Sequence, residues 1–290
     1  MSTYWELALP VADEAAEGLT NFLWELDALG VVQEQAAGGP ACLRAFFPGT
    51  ADGQGLEAQI GEYLEGLRCL GFPPCGRPRL APLADGRWAE AWREHFRPLP
   101  LGRRLLVAPP WEAPPDGTRL TVVIEPGRAF GTGHHGTTAG CLEALELIVE
   151  ARAPARALDL GTGSGILAIA AARLGADSAL GIDTDPDAIE SANRNLTLNP
   201  DVTNVRFGVA AVGSATLGTA DIVLANLTGY LLVREAKTLL AAVRPSGTLV
   251  LSGLLEHEEQ QVRCAFAGAD LQHRQQEGEW IGLTFNRGVS

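Results

Sequence analysis

The sequence has no long hydrophobic run. Nowhere among its 290 residues do about 18 apolar residues follow one another, so no membrane-spanning helix is predicted. The first residues, Met1 to Glu6, also lack the basic flank and the apolar stretch of a secretory signal peptide. Both absences lead us to expect a cytoplasmic protein without a membrane partner.

Metal-binding and disulfide motifs are missing as well. The five cysteines are odd in number and include no C-x-x-C pair, so we interpret them as free thiols in a reducing cytoplasm. Among the five histidines only His134 and His135 are neighbours, and this spacing is not that of zinc ligands. No metal site is predicted.

Positive charge is scarce. The chain has 22 basic residues, of which Lys237 is the only lysine, against 35 acidic residues, and the net charge is −13. Nucleic-acid-binding proteins usually carry a basic face, so no direct nucleic-acid partner is expected. The charge favours association with a basic partner, although solubility alone also accounts for it.

What the sequence does contain begins with a small N-terminal domain. Hydrophobic periodicity predicts the element order β-α-β-β-α-β over residues 1–83. The predicted elements are strand 3–11, helix 12–29, strands 31–35 and 41–47, helix 56–70 and strand 77–83. This order is typical of ferredoxin-like domains. Residues 1–80 hold four arginines and eleven acidic residues, a net charge of −7, and no chemical motif.

Residues 84–119 differ in composition, because tryptophans and arginines alternate there and prolines close the stretch. We predict a helix from Trp88 to Phe96, followed by an extended connector. Aromatic residues beside arginines occur on nucleic-acid surfaces, but a helix that packs its aromatic face between two domains is the commoner arrangement. We therefore predict a linker here, followed by a second domain over residues 120–290.

The most informative segment lies in this second domain. An apolar strand ends in Asp159, and Gly161, Gly163 and Gly165 follow at alternate positions before a helix-period run. The next strand ends in Asp183, 22 positions after Gly161. Strand, glycine turn, helix, strand and acid form a nucleotide-binding βαβ unit, in which the second acid reaches a ribose.

The details favour one class of nucleotide. The dinucleotide fingerprint requires Gly or Ala three places after its second glycine, where this chain has Ile166. A pyrophosphate would also be repelled by Asp159, which we expect to be a fixed negative charge. S-adenosylmethionine has an adenosine and a cationic sulfonium but no phosphate, and so it is the predicted cofactor.

Two further segments complete the predicted site. Strands and helices alternate after Asp183, which indicates a doubly wound sheet closed by an antiparallel hairpin. Asn226 ends one of these strands, at the edge where open α/β sheets bind ligands; the alternative is that it caps the next helix. The glycine-rich segment 126–138 can wrap a ligand with backbone amides, or Thr137 or Thr138 can cap the helix that follows.

The glycine run, the segment around Asp183 and Ala225-Asn226-Leu227 resemble those of class I S-adenosylmethionine-dependent methyltransferases. The segment Glu125–Thr138 is more specific: with Trp88-Ala-Glu-Ala-Trp-Arg93 and the acidic first domain, it resembles the bacterial methyltransferases of ribosomal protein L11. The resemblance covers essentially the whole chain, most strongly residues 86–255. One departure is Gly136, where we expect a bulkier residue.

The resemblance implies a doubly wound seven-stranded sheet behind a ferredoxin-like recognition domain, and a monomer. It implies transfer of several methyl groups to the α-amine and lysine side chains of a basic ribosomal protein of the large subunit. The cofactor contacts that it implies are Phe130, Thr138, Gly161, Gly163, Asp183 and Asn226. No residue is predicted as a general base, and the catalytic residues are left unassigned.

Three alternatives are considered. Methyltransferases of nucleobase amines and glutamine amides have an Asn/Asp-Pro-Pro-aromatic motif, where this chain has Asn226-Leu-Thr-Gly229. An enzyme of the same fold could act on another protein or on a small amine. A non-catalytic adenosine-binding protein is the third alternative, and the complete glycine turn with Asp183 and Asn226 disfavours it.

Overall fold

The computed structural model describes residues 3–34, 41–69, 71–72, 76–84, 96–114, 117–126, 136–151, 156–214 and 217–288. Two sequence-based predictions lie outside the described residues: the helix from Trp88, of which only Phe96 is described, and most of the glycine-rich segment, including Phe130. The chain forms two compact units: the first comprises the described residues up to Arg97 together with Pro126, and the second comprises the other described residues. No helix in the described part of the chain is long and apolar enough to span a membrane.

The first unit has the predicted β-α-β-β-α-β order. Its elements are β1 (Thr3–Val11), α1 (Asp13–Glu25), β2 (Gly30–Glu34), β3 (Ala41–Phe47), α2 (Gly53–Cys69) and β4 (Arg79–Ala84). The strands form one antiparallel sheet in the order β2-β3-β1-β4. This is the ferredoxin-like arrangement.

Periodicity explains how this unit forms its core. Alternate residues of β1, from Leu7 to Val11, are buried, and α2 buries one residue in four, from Leu56 to Leu64. The two helices contact each other through Phe22 and Tyr63, whose stacked ring centroids are 3.9 Å apart. The helices therefore cover one face of the sheet through a continuous apolar layer.

The second unit begins with three short strands, β5 (Leu99–Leu101), β6 (Leu105–Ala108) and β7 (Leu120–Val123), which form a separate sheet. Residues 98–119 were expected to belong to a linker, whereas the described residues among them, 98–114 and 117–119, group with this unit. The buried carboxylate of Glu146 explains the placement, because it accepts hydrogen bonds from the backbone N–H groups of Arg103, at 2.9 Å, and Arg104, at 3.1 Å.

The larger sheet of the second unit has seven strands in the order β10-β9-β8-β11-β12-β14-β13. The strands are β8 (Arg156–Leu160), β9 (Ser178–Asp183), β10 (Val205–Val209), β11 (Ala220–Asn226), β12 (Val243–Leu255), β13 (Asp270–Glu277) and β14 (Trp280–Asn286). Strands β8 to β12 pair in parallel, and β14 is antiparallel to both of its neighbours. The predicted doubly wound sheet and its closing hairpin are confirmed.

Helices cover both faces of this sheet. They are α3 (Gly136–Ala151), α4 (Ile166–Leu174), α5 (Pro186–Thr197), α6 (Gly229–Arg234), α7 (Ala236–Ala242) and α8 (Glu259–Ala265), which a 3-10 turn precedes. Helices α6 and α7 meet at Glu235, and β12 begins directly after α7, at Val243.

Candidate functional site

The glycine turn joins β8 to α4. Gly161, Gly163 and Gly165 have φ angles of 77°, 52° and 82°, a region that is strained for residues with a Cβ atom. A Cβ atom at Gly161 would clash with Cδ2 of Leu227, and one at Gly165 would lie 2.6 Å from Cζ of Phe207. All three glycines are therefore favoured by the backbone conformation, and Gly161 and Gly165 are also required by close packing against Leu227 and Phe207.

Asp183 ends β9 directly beside this turn. Its Oδ2 accepts a hydrogen bond from the Gly163 N–H at 3.0 Å, and its Oδ1 accepts one from the Asp185 N–H at 3.1 Å. The side chain is half-buried. The structure therefore brings together the acid and the turn that the βαβ pattern relates.

Asp159, which the sequence suggested as a fixed charge, is buried. Its Oδ2 accepts hydrogen bonds from Thr162 Oγ1 at 2.5 Å and from the Ala168 N–H at 3.3 Å. Its Oδ1 is buried and has no hydrogen-bond partner among the described residues. Burial raises the pKa of Asp159 to about 7 and the nearby charge of Asp183 acts in the same direction, so both protonation states are populated near neutral pH.

Asn226 lies at the carboxyl end of β11 and contacts the start of α3. Its Nδ2 donates hydrogen bonds to the hydroxyls of Thr137, at 3.3 Å, and Thr138, at 3.4 Å, and both threonines are buried. Its Oδ1 is buried without a hydrogen-bond partner in the described part of the chain. The segment around Thr138 and the end of β11 are thus brought together, as the predicted site requires.

The capping alternatives do not account for these residues. Helix α3 begins at Gly136, so Thr137 and Thr138 lie inside its first turn and do not precede it. The residue that caps α6 is Thr228, two positions after Asn226. Asn226 therefore does not cap a helix, and its side chain is held at the edge of the sheet by the two threonine hydroxyls.

Two buried asparagines, Asn195 in α5 and Asn199 just after its end, were not predicted. Asn195 donates to the Ser164 carbonyl at 2.8 Å and accepts from the Glu125 N–H at 2.9 Å, so it joins the glycine turn to the segment after β7. Asn199, one helical turn later, bonds both backbone groups of Val123. Their four-residue spacing was visible in the sequence, but nothing in the sequence showed which backbone groups they would bind.

A small cavity of about 70 Å³ adjoins Thr137 at the same edge of the sheet. Its lining includes Glu143, Glu277 and Trp280. A Cβ atom at Gly136, where a bulkier residue was expected, would lie 2.9 Å from Cδ of the exposed Glu277 side chain. Two larger cavities, of about 380 and 430 Å³, lie towards the amino ends of the strands and contain none of the predicted site residues.

The residues present fit a cationic nucleoside. The Asp183 carboxylate lies beside the glycine turn, where its negative charge disfavours a pyrophosphate and favours a cationic ligand. A seven-stranded sheet in this order, with a glycine turn after β8 and an acid at the end of β9, defines a class I methyltransferase, whose cofactor is S-adenosylmethionine.

Comparisons with known proteins narrow this class. The family model for ribosomal protein L11 methyltransferase (PrmA) matches residues 3–288. The ribosomal protein L11 methyltransferase of Pelobacter propionicus is 36% identical over 310 residues, which cover 99% of both chains. That of Geobacter sulfurreducens is 42% identical over 251 residues, which cover 84% of this chain and 81% of the relative.

A solved structure agrees with these relatives. The ribosomal protein L11 methylase of Lactobacillus delbrueckii subsp. bulgaricus superposes with a TM-score of 0.59 at 26% identity, covering 67% of this chain and 98% of that chain. The chain therefore belongs to the ribosomal protein L11 methyltransferase family. The resemblance drawn from the sequence is confirmed.

Proposed function

We propose that this enzyme transfers methyl groups from S-adenosylmethionine to the α-amine and the lysine side chains of ribosomal protein L11, as a monomer in the cytoplasm. The names of its full-length relatives support this substrate. Its acidic first unit, with a net charge of −7 over residues 1–80, suits a basic partner. We propose that this unit recognises the substrate protein.

The observation that carries the proposal is the arrangement of Asn226. Its Nδ2 is bonded to Thr137 and Thr138, so its buried Oδ1 is left as a hydrogen-bond acceptor. A buried acceptor without a partner costs free energy, and a ligand N–H relieves that cost. We propose that the N–H of the acceptor amine binds there and that Asn226 lies beside the reacting centre.

The cofactor site is assigned to the neighbouring residues. Asp183 would hold the ribose hydroxyls, Gly161 and Gly163 would let the backbone approach the ligand, and Thr138 would contact it from α3. Phe130, which the family resemblance also places here, lies outside the described residues. When bound, S-adenosylmethionine supplies an electrophilic methyl group on a cationic sulfur.

The protein must present a neutral amine to that methyl group. A lysine side chain has an ordinary pKa of about 10.4, so most of it is protonated at neutral pH. Desolvation at the sheet edge lowers this pKa, and an acceptor such as Asn226 Oδ1 fixes the direction of one N–H bond. Positioning of the amine is then the main contribution of the residues described.

A binding and transfer assay tests the proposal. Calorimetry should show that the enzyme binds S-adenosylmethionine, and intact-mass spectrometry of L11 incubated with both should show additions of whole methyl groups. Asn226→Ala should lose methyl transfer, whereas Asn193→Ala, at an exposed position of α5, should not. Cofactor binding without modification of L11 would favour another protein or a small amine as the substrate.

A further inference from the structure

Strand β12 is irregular at the point where it passes the candidate site. Its register with β14 shifts between Leu251 and Leu254, and Gly253, within that shift, has a φ angle of 82°. On its other side β12 pairs with β11, and there Ser252 lies opposite Asn226. Bulges of this kind bend a strand and re-aim neighbouring groups. The irregularity therefore lies beside the residue that carries the proposed function.

Gly253 leaves space that Asn226 and Leu227 occupy. A Cβ atom at position 253 would lie 2.6 Å from the Leu227 carbonyl oxygen and 2.9 Å from Asn226 Oδ1. Both distances are shorter than 3.0 Å, so these neighbouring atoms would have to move. The Leu227 N–H donates to the Ser252 carbonyl at 3.0 Å, which fixes the same backbone from the other side. A side chain at position 253 would therefore displace the Asn226–Leu227 segment.

Ser252 holds the other partner of Asn226. Its buried Oγ donates to the Thr137 carbonyl at 3.1 Å, and the Thr137 hydroxyl accepts from Asn226 Nδ2 at 3.3 Å. Because Ser252 also lies opposite Asn226 in the sheet, the three residues form a closed ring of contacts across β11, β12 and α3. The ring links the start of α3 to the end of β11.

We propose that Ser252 and Gly253 are positioning residues for methyl transfer, which fix the rotation of the Asn226 carboxamide. The terminal torsion of asparagine is soft, so the side chain alone does not choose between its two amide orientations. Ser252 acts through Thr137 on Nδ2, and Gly253, because it has no Cβ atom, leaves room for Oδ1 in its observed position. This inference rests on the proposed function, in which Oδ1 accepts the N–H of the amine.

Three variants of the full-length enzyme test this. Gly253→Ala adds a Cβ atom against Oδ1, and Ser252→Ala removes the hydrogen bond to Thr137. Gly175→Ala is the matched control, because Gly175 also has a positive φ, of 119°, but no atom lies within 4 Å of its Cβ position. We expect kcat for L11 to fall about 10- to 100-fold in Gly253→Ala, because a small misplacement of the Asn226 side chain has a cost of that size. We also expect kcat to fall in Ser252→Ala, because the Thr137 partner of Asn226 is then no longer held.

Two further readouts separate positioning from a general loss of structure. Cofactor affinity should be unchanged in Ser252→Ala and Gly253→Ala, and the proportions of mono-, di- and trimethylated lysine should shift towards fewer methyl groups. In NMR spectra, the side-chain amide signals of Asn226 should move and exchange faster with water in both variants but not in Gly175→Ala. Ser252→Ala keeps the test decisive if Gly253→Ala does not fold.

Unchanged Asn226 signals in both variants would overturn the inference, as would equal losses of kcat in Gly253→Ala and Gly175→Ala. A loss of cofactor affinity that parallels the loss of kcat would also overturn it, since the whole site would then have changed. If the unmodified enzyme does not methylate L11 but the Asn226 signals respond as expected, the proposed substrate fails and the positioning inference stands.

Discussion

The carboxylate of Asp183 accepts a hydrogen bond from the Gly163 N–H at 3.0 Å, so the acid at the end of β9 holds the glycine turn at the end of β8. Asp183, the side chain proposed to bind the ribose, therefore also fixes the glycine-turn backbone that is proposed to lie against the cofactor. Cofactor affinity and turn geometry depend on one carboxylate.

Replacement of this carboxylate should weaken cofactor binding. We expect Asp183→Ala to lose about 1.5–3 kcal/mol of binding free energy for S-adenosylmethionine, the range for hydrogen bonds to a charged group. Calorimetric titration measures the loss, and Asp177→Ala, an exposed acid next to the amino end of β9, is the control. NAD should not displace the cofactor at comparable concentrations. Displacement would favour a dehydrogenase-type site.

The buried Asp159 should make stability depend on pH. Its pKa of about 7 in the folded chain exceeds the ordinary value of 3.8, so between these values the folded state holds a proton that the unfolded state has lost. The free energy of unfolding should therefore fall, by about 1.4 kcal/mol per pH unit for this group alone, until the pH reaches about 7.

Asp159→Asn tests this, because it keeps the shape of the side chain and does not titrate. Its stability relative to the unmodified enzyme should increase as the pH rises from about 4 to about 7 and stay constant above that range. Denaturant titrations across the range measure the difference. A difference that does not vary with pH would mean that Asp159 is ionised throughout.

Glu146 should be important for stability rather than for cofactor binding. Its buried carboxylate accepts the N–H groups of Arg103 and Arg104, so it ties the β5–β6 segment to α3. We expect Glu146→Ala to lose about 1.5–3 kcal/mol of unfolding free energy, because two part-buried backbone donors lose a charged acceptor. Glu143→Ala, at an exposed position of α3, should change stability little. Equal effects of the two substitutions would contradict this role.

Much of the site was predictable because it is local in sequence. The strand, glycine turn, helix and acid of the βαβ unit follow one another within 25 residues, from Asp159 to Asp183, and each has its own conformational signal. Asn226 was identified because strand ends have a known place in open sheets. Periodicity likewise predicted the order of the elements in both units.

The contacts that hold these residues were not predictable, because they join distant positions. Ser252 reaches the Thr137 carbonyl across 115 residues of sequence, and Asn195 reaches Glu125 across 70. The short strands of residues 98–119 have little periodicity, and Glu146, which fixes them, is 42 residues away from Arg104. The charge of Asp159 depends on burial, which no single-sequence pattern reveals.

The division of the chain between Arg97 and Pro98 allows substrate recognition to be separated from cofactor binding. We expect a fragment of residues 98–290 to bind S-adenosylmethionine but to methylate L11 inefficiently. A start at residue 98 retains β5 and β6, whose backbone Glu146 binds, so this fragment suits the test better than one that starts at Leu120. If the fragment methylated L11 as fast as the full chain, the first unit would have no recognition role.

In the full-length enzyme, added salt should raise KM for L11 more than it weakens cofactor binding, because screening acts mainly on the attraction between the acidic unit and its basic partner. Replacement of the exposed α2 acids Glu57, Glu62 and Glu65 by glutamine should reduce that salt dependence, and measurement of KM across salt concentrations distinguishes this electrostatic recognition from an effect on the reaction itself.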